Sequence, residues 1–121
     1  MTPTTILLVD DDPVDLQLFT RALKNAGYRP ISAVVGDTGM VFPEHENPAL
    51  VLLDYRFSSV LRAPDLARLI RSNYPSAHLL LLSSLPSLPA EMDRLVDGFI
   101  SKNSPENIVR NVDEWLKPPA A

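Results

Sequence analysis

The chain of 121 residues contains no cysteine. Disulfide bonds, thiolate catalysis and cysteine-ligated metals are therefore excluded, and the composition fits a cytoplasmic protein. Long apolar runs are also lacking, since the three most apolar stretches (6–9, 50–53 and 79–82) are too short to cross a bilayer. The first residues carry no basic segment of the signal-peptide type. We therefore expect neither a membrane span nor a signal peptide.

An excess of positive charge is missing as well. Eleven lysines and arginines face fifteen aspartates and glutamates, which gives a formal net charge of −4. The basic residues stand singly along the chain and form no stripe that could follow a phosphate backbone. Direct binding of nucleic acid is therefore not expected.

The sequence does contain enough apolar side chains for a core, at 45% of its residues. We predict one domain over residues 1–117, with residues 118–121 as a tail or the start of a linker. Apolar runs alternate with helical segments, which indicates β-α-β units around a parallel sheet. The fold class predicted is α/β, a doubly wound five-stranded parallel sheet. Its strands are expected at 5–9, 31–35, 50–53, 79–82 and 99–101.

Helix signals lie between these strands. Asp12 and Pro13 begin the first helix and Gly27 ends it, while Ser104 and Pro105 begin the last. A third helix is predicted over 65–74, with Leu66, Leu69 and Ile70 facing inward. The second helix, within 36–48, is expected to be shortened by prolines, and the fourth to be a short helix at 90–96.

Polar side chains gather where the strands end. Asp10 and Asp11 follow the first strand, Asp54 the third, Ser83 and Ser84 the fourth, and Lys102 the fifth. In such a sheet, ligands bind at the carboxyl ends of the strands. Three clustered carboxylates repel one another unless a cation joins them, and oxygen ligands with partial hydration suit Mg²⁺. Together with the lysine and a hydroxyl, they predict a site for a phosphoryl group beside a nucleophilic carboxylate.

Four segments in this order, each closing a strand, carry a resemblance to a known family. Over essentially its whole length the chain resembles the receiver domains of bacterial response regulators, which implies a flavodoxin-like (β/α)5 fold with, here, shortened second and fourth helices. The matching segments are Ile-Leu-Leu-Val-Asp-Asp-Asp-Pro at 6–13, Leu-Val-Leu-Leu-Asp at 50–54, Leu-Leu-Leu-Ser at 80–83 and Gly-Phe-Ile-Ser-Lys at 98–102.

The resemblance implies that Asp54 accepts a phosphoryl group from a phosphohistidine. The donor would be a sensor histidine kinase or a histidine phosphotransfer protein, and a downstream effector protein or domain would read the result. Asp11 would bind Mg²⁺ directly, Asp10 mainly through water, and Arg56 through its backbone carbonyl. Apart from phosphotransfer to itself and autodephosphorylation, no enzymatic activity is implied.

The remaining roles concern the response to phosphorylation. Lys102 would pair with the phosphoryl oxygens, and Ser83, rather than the neighbouring Ser84, would hydrogen-bond to them. Phe99 would be a rotamer switch that enters space left by Ser83. Arg56 and Leu85 would border the water that hydrolyses the acyl phosphate.

Three departures from the family pattern affect the surroundings of the site. Ser58 stands where proline is usual, and Asn103 follows Lys102 where a proline with a cis bond is common. The segment between Ser83 and Lys102 is also short. These departures motivate a second hypothesis, a receiver-like interaction module that signals without phosphorylation.

A third hypothesis rests on the first acidic loop alone. The segment Asp10-Asp11-Asp12 loosely matches the loop of haloacid-dehalogenase-type phosphatases, with Asp10 as nucleophile and Asp12 as acid. Asp12 is better explained as a helix N-cap, because Pro13 fixes a helix start directly after it.

Overall fold

A computed structural model of the chain describes residues 3–36, 39–56 and 61–117. Ser58 and the predicted tail at 118–121 lie outside the described residues. The elements are β1 (Thr5–Val9), α1 (Pro13–Asn25), β2 (Arg29–Ser32), β3 (Val34–Val35), β4 (Met40–Val41), β5 (Leu50–Asp54), α2 (Ala63–Asn73), β6 (His78–Ser83), β7 (Gly98–Ser101) and α3 (Pro105–Leu116).

Five of these strands form one parallel sheet in the order β2-β1-β5-β6-β7. The predicted doubly wound five-stranded sheet is therefore confirmed. In this order the chain reverses direction across the sheet between β1 and β5, where folds of this type form their ligand crevice. The carboxyl ends of β1, β5, β6 and β7 consequently meet at one edge.

The core lies on both faces of the sheet, because helices cover each side. The central strand β5 is buried along all five of its residues. One face packs against α2, whose buried residues include Leu66 and Ile70. The other face packs against α1 and α3 through Phe19, Leu23, Ile108 and Val112. Burial on both faces explains why the strands read as continuous apolar runs instead of alternating patterns.

The helix termini follow local sequence signals. The Asp12 side chain accepts a hydrogen bond from the Val14 N–H at 2.9 Å, and the Ser104 hydroxyl accepts one from the Asn107 N–H at 3.1 Å. Both N-caps are as predicted. Helix α2 begins at Ala63, two residues earlier than expected, and the Arg62 N–H donates to the Asp65 carboxylate at 3.1 Å. The prediction that Leu69 faces inward is wrong, since it is 37% exposed.

The connection between β2 and β5 differs from the expectation. In place of a shortened second helix, its described residues contain an antiparallel pair, in which Val34 faces Val41 and Val35 faces Met40. β-Branched valines favour strands, and the Gly36 N–H closes the turn onto the Gly39 carbonyl at 2.8 Å. The second strand of the sheet also ends at Ser32, earlier than the predicted 31–35.

The fourth helix is reduced further than predicted. The segment expected to be helical at 90–96 contains a single 3₁₀ turn, Ala90–Met92, anchored by the fully buried Met92. Pro86 and Pro89 precede it and bias the residues before them away from helical backbone, so no helix begins earlier among the described residues of this connection. No helix in the described ranges is long and apolar enough to cross a membrane.

Candidate functional site

A cavity of about 630 Å³ opens at the carboxyl edge of the sheet. Three of the predicted carboxyl and ammonium groups, those of Asp11, Asp54 and Lys102, line it together with Ser83, Ser84 and Arg56. Asp10 lies directly beside them, since its carboxylate contacts the Lys102 ammonium. The tertiary structure thus brings the predicted polar residues of four strand ends together.

The strand ends are held in register by backbone hydrogen bonds. The Tyr55 N–H donates to the Leu82 carbonyl at 2.9 Å, and the Lys102 N–H donates to the Ser83 carbonyl at 2.9 Å. These bonds continue the ladders one residue beyond β5 and β7. Asp54, at 4% exposure, and Lys102 are therefore positioned by the sheet itself and not by a free loop.

Lys102 is the cationic centre of the site. Its ammonium nitrogen lies 2.6 Å from Asp15 Oδ2, 3.0 Å from Asp54 Oδ2 and 3.5 Å from Asp10 Oδ2. Burial by itself lowers the pKa of Lys102, but the hydrogen bond to Asp15 and the charges of Asp54 and Asp10 raise it overall. The ammonium is therefore charged at every physiological pH.

The surroundings of Asp10 favour the neutral form of its carboxyl group. Burial raises the pKa of its carboxyl from 3.8 to about 6, and the neighbouring Asp54 charge adds to the increase. A hydrogen bond that Asp10 Oδ1 accepts from the Asp12 N–H at 2.9 Å, and the Lys102 charge, act against the shift. The carboxyl of Asp10 is thus harder to ionise than that of an exposed aspartate, chiefly because it is buried.

A divalent cation fits this arrangement. Oxygen atoms of Asp10, Asp11 and Asp54 lie within 4.8 Å of one another, close enough to share one ion. All three donors are carboxylate oxygens, as a hard cation such as Mg²⁺ prefers, and the raised pKa of Asp10 would fall when a cation binds. The residues present therefore suit the predicted Mg²⁺.

The two serines at the end of β6 occupy different environments. Ser83 is buried at 2% exposure, and its hydroxyl accepts a hydrogen bond from the Leu85 N–H at 3.0 Å. Ser84 is exposed, although it lines the same cavity. The backbone of Leu85 thus fixes the Ser83 oxygen at the cavity wall, a contact that the sequence did not indicate.

Of the two remaining predicted residues, Arg56 lines the cavity and Phe99 packs on the α2 face of the sheet. The Arg56 N–H points to Asp54 Oδ1 at 3.4 Å, a long hydrogen bond, and its side chain is exposed. Phe99 is half-buried against the cluster on the α2 face, which also includes Tyr55 and Leu88. The peptide bond between Lys102 and Asn103 is trans.

Asp15 is the residue that sequence reasoning missed. From the sequence alone, it is only an acidic residue that suits the positive end of α1, yet it makes the shortest ion pair of Lys102. Phe19, one turn further along α1, places its ring 5.7 Å from the same nitrogen. The available signal was the helix start itself, because a first turn that begins three residues after β1 stays above the strand ends.

The chain is similar in sequence to a protein of known name and similar in structure to several solved proteins. A curated protein, the probable transcriptional regulatory protein TcrX of Mycobacterium tuberculosis, is 27% identical over 96 residues, which cover 79% of this chain and 41% of that protein. The chain thus spans less than half the length of this relative. No protein-family model matches the chain.

Solved structures superimpose over nearly the whole chain. The chemotaxis response regulator CheY4 of Vibrio cholerae is 21% identical, with a TM-score of 0.79 over 95% of this chain and 100% of that one. The response regulator DrrB of Thermotoga maritima, an OmpR/PhoB homologue, is 21% identical, with a TM-score of 0.76 over 96% and 54%. A BeF3-activated DrrB receiver domain is 20% identical, with a TM-score of 0.70 over 97% and 100%.

These similarities define the class of fold. The chain has the fold of response regulator receiver domains, in agreement with the resemblance read from its four motifs. Its acidic cluster includes Asp54, the predicted phosphoacceptor, and lies at the carboxyl edge of the sheet.

Proposed function

We propose that this chain is a phosphoacceptor receiver domain of a two-component phosphorelay, with Asp54 as the residue that is phosphorylated. The observation that carries the proposal is the position of Asp54, buried at the end of β5 with the Lys102 ammonium 3.0 Å away. A buried aspartate costs stability unless it is paired, and the Lys102 ammonium supplies that partner while one edge of the carboxylate faces the cavity. The adjacent Asp10 and Asp11 complete a site for a cation.

In the proposed reaction, an Asp54 carboxylate oxygen attacks the phosphorus of a phosphohistidine. An O–P bond forms while the N–P bond breaks, and its electron pair returns to the imidazole nitrogen, which then takes a proton from water. Asp10, Asp11 and Asp54, with the Arg56 backbone carbonyl, would hold Mg²⁺, which when bound neutralises charge on the transferring phosphoryl oxygens. A water molecule bordered by Arg56 and Leu85 would then hydrolyse the acyl phosphate, which returns Asp54 to its free carboxylate and releases inorganic phosphate.

The response is proposed to pass through β6 and β7. Lys102 would pair with the new phosphoryl oxygens, and Ser83 would turn its hydroxyl from the Leu85 N–H towards them. The half-buried Phe99 lies on the next strand and would move into the space vacated by Ser83. Its ring is supported by the cluster on the α2 face, so its movement would change that surface.

Partners and location follow from the same proposal. A sensor histidine kinase or a histidine phosphotransfer protein would supply the phosphoryl group in the cytoplasm, and a downstream effector would read the response. The name of the curated relative, a transcriptional regulator, suggests one type of output. Beyond its own phosphorylation and dephosphorylation, we propose no turnover of substrate.

One set of observations favours a second function, an interaction module independent of phosphorylation. The hairpin of β3 and β4 and the single 3₁₀ turn stand where two helices were expected. The intact group of Asp54, Lys102 and Ser83 argues against it. The phosphatase hypothesis is disfavoured because the Asp12 carboxylate caps α1 through Val14.

The test is phosphorylation in vitro. The protein is incubated with Mg²⁺ and acetyl phosphate, and the adduct is located by mass spectrometry of trapped peptides. An adduct on Asp54 that Asp54→Ala abolishes supports the proposal. Absence of any adduct at saturating donor, with a partner still bound, would favour the interaction module. Multiple turnover of phosphoesters that requires Asp10 would support the phosphatase.

A further inference from the structure

The ion pair between Asp15 and Lys102 is not needed to place the lysine at the site. Lys102 already contacts Asp54 at 3.0 Å and Asp10 at 3.5 Å, and its own backbone N–H is bonded to β6. Asp15 adds a third carboxylate at 2.6 Å, from the first turn of α1. This contact therefore requires an explanation other than the positioning of Lys102 beside Asp54.

The ammonium has a limited capacity for partners. It carries three N–H donors and lies within 3.5 Å of the carboxylates of Asp10, Asp15 and Asp54. Phosphorylation converts the Asp54 carboxylate into the acyl phosphate, so the phosphoryl oxygens then share the ammonium with Asp10 and Asp15. Asp10 and Asp54 belong to the cluster close enough to share a cation. Asp15 is the partner of Lys102 that reaches it from α1 instead of from a strand end.

The negative charge added by phosphorylation also favours the release of Asp15 from Lys102. Phosphorylation of Asp54 adds negative charge beside the nitrogen that Asp15 contacts. The Asp15 side chain is 29% exposed, so its carboxylate can turn towards water at moderate cost, whereas the side chains of Asp10 and Asp54 are only 4% and 6% exposed. Asp15 is consequently the group most easily released.

We propose that Asp15 is a positioning residue that holds the Lys102 ammonium in the unphosphorylated domain and competes with the phosphoryl group for it. The inference rests on the proposed function, since it needs Asp54 to be the phosphoacceptor. Asp15 raises the threshold for phosphorylation and shortens the life of the phosphorylated state. It does not touch the reacting phosphorus.

The experiment compares wild type, Asp15→Asn and Asp12→Asn. Asparagine keeps the size of the side chain and removes one negative charge in both variants, and at position 12 it still caps the helix. Binding of a beryllofluoride mimic in the presence of Mg²⁺ is titrated by NMR. Phosphorylation by acetyl phosphate is followed by mass spectrometry; here an Asp54 oxygen bonds to phosphorus and acetate leaves.

For Asp15→Asn we expect half-saturation at about tenfold lower beryllofluoride, the effect of one charge-assisted contact in a partly exposed site. Phosphorylation should be faster, and the aspartyl phosphate should live longer. Asp12→Asn should stay within about twofold of wild type, because Asp12 caps α1 through the Val14 N–H. An equal gain in both variants would overturn the proposal in favour of a general charge effect. Unchanged or weaker binding in Asp15→Asn would also overturn it.

A readout without metal or phosphoryl donor tests the contact itself. Exchange of the Lys102 Nζ protons with water, measured by NMR at acidic pH in metal-free protein, should accelerate in Asp15→Asn and not in Asp12→Asn. The outcomes distinguish a failure of the proposed function from a failure of the role of Asp15 alone. If wild type forms no adduct on Asp54, the proposed function and this inference both fall. If wild type is phosphorylated on Asp54 and Asp15→Asn behaves like wild type, only the role of Asp15 falls.

Discussion

The ammonium nitrogen of Lys102 lies 3.0 Å from the carboxylate of Asp54, although their strands are not neighbours. β6 separates β5 from β7, and the two side chains meet beyond its carboxyl end, above Ser83. The contact links the ends of these strands by charge where no backbone ladder joins them. We therefore expect a change in the charge at Asp54 to act directly on the end of β7, the strand that carries Phe99.

We predict that Lys102→Ala retains Mg²⁺ binding and loses the conformational response. Removing the ammonium leaves the three clustered carboxylates in place and makes the site more negative, so affinity for the ion should stay equal or increase. The phosphoryl mimic loses its counter-charge. The measurement is NMR of the Phe99 resonances during titration with beryllofluoride, with Lys24→Ala, an exposed lysine of α1, as the control. A normal shift of Phe99 in Lys102→Ala would contradict this role.

We predict that Mg²⁺ binding weakens as the pH falls through about 6. The pKa of Asp10 is raised to about 6 in the metal-free protein, chiefly by burial, so a proton competes with the ion below that pH. Calorimetry at about pH 5 and about pH 8 should show a several-fold loss of affinity at the lower pH. Asp10→Asn should bind the ion weakly and lose this pH dependence. Equal affinity of wild type at both pH values would disprove the assignment.

Asp97 gives a pH dependence of stability, and its pKa is shifted in the opposite direction to that of Asp10. Partial burial raises the pKa of its carboxyl, but the Arg71 guanidinium at 2.7 Å and the Leu79 N–H at 2.8 Å lower it overall. Its contribution is therefore present above the unfolded pKa of about 3.9 and is lost as the pH falls through the lower folded value. Since Asp97 is 36% exposed, we expect at most about 1 kcal/mol.

The comparison is urea unfolding of wild type and Asp97→Asn across the acidic range. The difference in unfolding free energy should be constant near neutral pH and shrink as Asp97 becomes protonated. Asp93→Asn, which changes an exposed aspartate in the same connection, should show little difference at any pH. A difference that persisted unchanged into strong acid would mean that the charge of Asp97 is not responsible.

Gly98 is predicted to be required for the packing of α3. A Cβ at this position would lie 2.5 Å from Trp115 Cζ2 and 3.0 Å from Leu80 Cδ2, so the indole would have to shift. Gly98→Ala should lower the unfolding free energy by about 1–3 kcal/mol, the usual cost of overpacking. Gly39→Ala, where a Cβ would meet no atom of the described residues within 4 Å, is the matched control.

A double variant tests the cause of that destabilisation. Trp115→Leu removes the ring that the new methyl group would strike, so Gly98→Ala should cost less in its presence than in wild type. The difference is the coupling free energy of a double-mutant cycle. Additive effects would show that Gly98 is needed for its backbone and not for the space beside Trp115.

Much of this architecture was predictable because its signals are local. The apolar runs in β1, β5 and β6 are continuous since both sheet faces are covered, and parallel order follows from their alternation with helices. Once the order of strands is known, Asp54 and Lys102 must reach the same edge. The caps at Asp12 and Ser104 depend only on neighbouring residues, and the structure contains both.

The hairpin of β3 and β4 was not predicted from the sequence. Pro43 was expected only to shorten a helix, and that prediction is wrong, because the described residues of this connection contain a pair of strands instead. The valines at 34, 35 and 41, next to Gly36 and Gly39, are the strand signal that this prediction left out. The 3₁₀ turn at Ala90–Met92 is a similar case. There Pro86 and Pro89 limit the helix, and the buried Met92 side chain holds the single remaining turn against the sheet.

The sequence by itself determined the parallel sheet and the cluster of three carboxylates that includes the proposed acceptor, because hydrophobic patterning and the order of elements are properties of the chain. Only the tertiary structure decided the partners of Lys102. Asp15 and Lys102 belong to opposite ends of the sequence, and their contact at 2.6 Å depends on how α1 leaves β1 and on where β7 ends. Such a contact has no local signature, since it arises when two independently specified elements are packed against the same sheet.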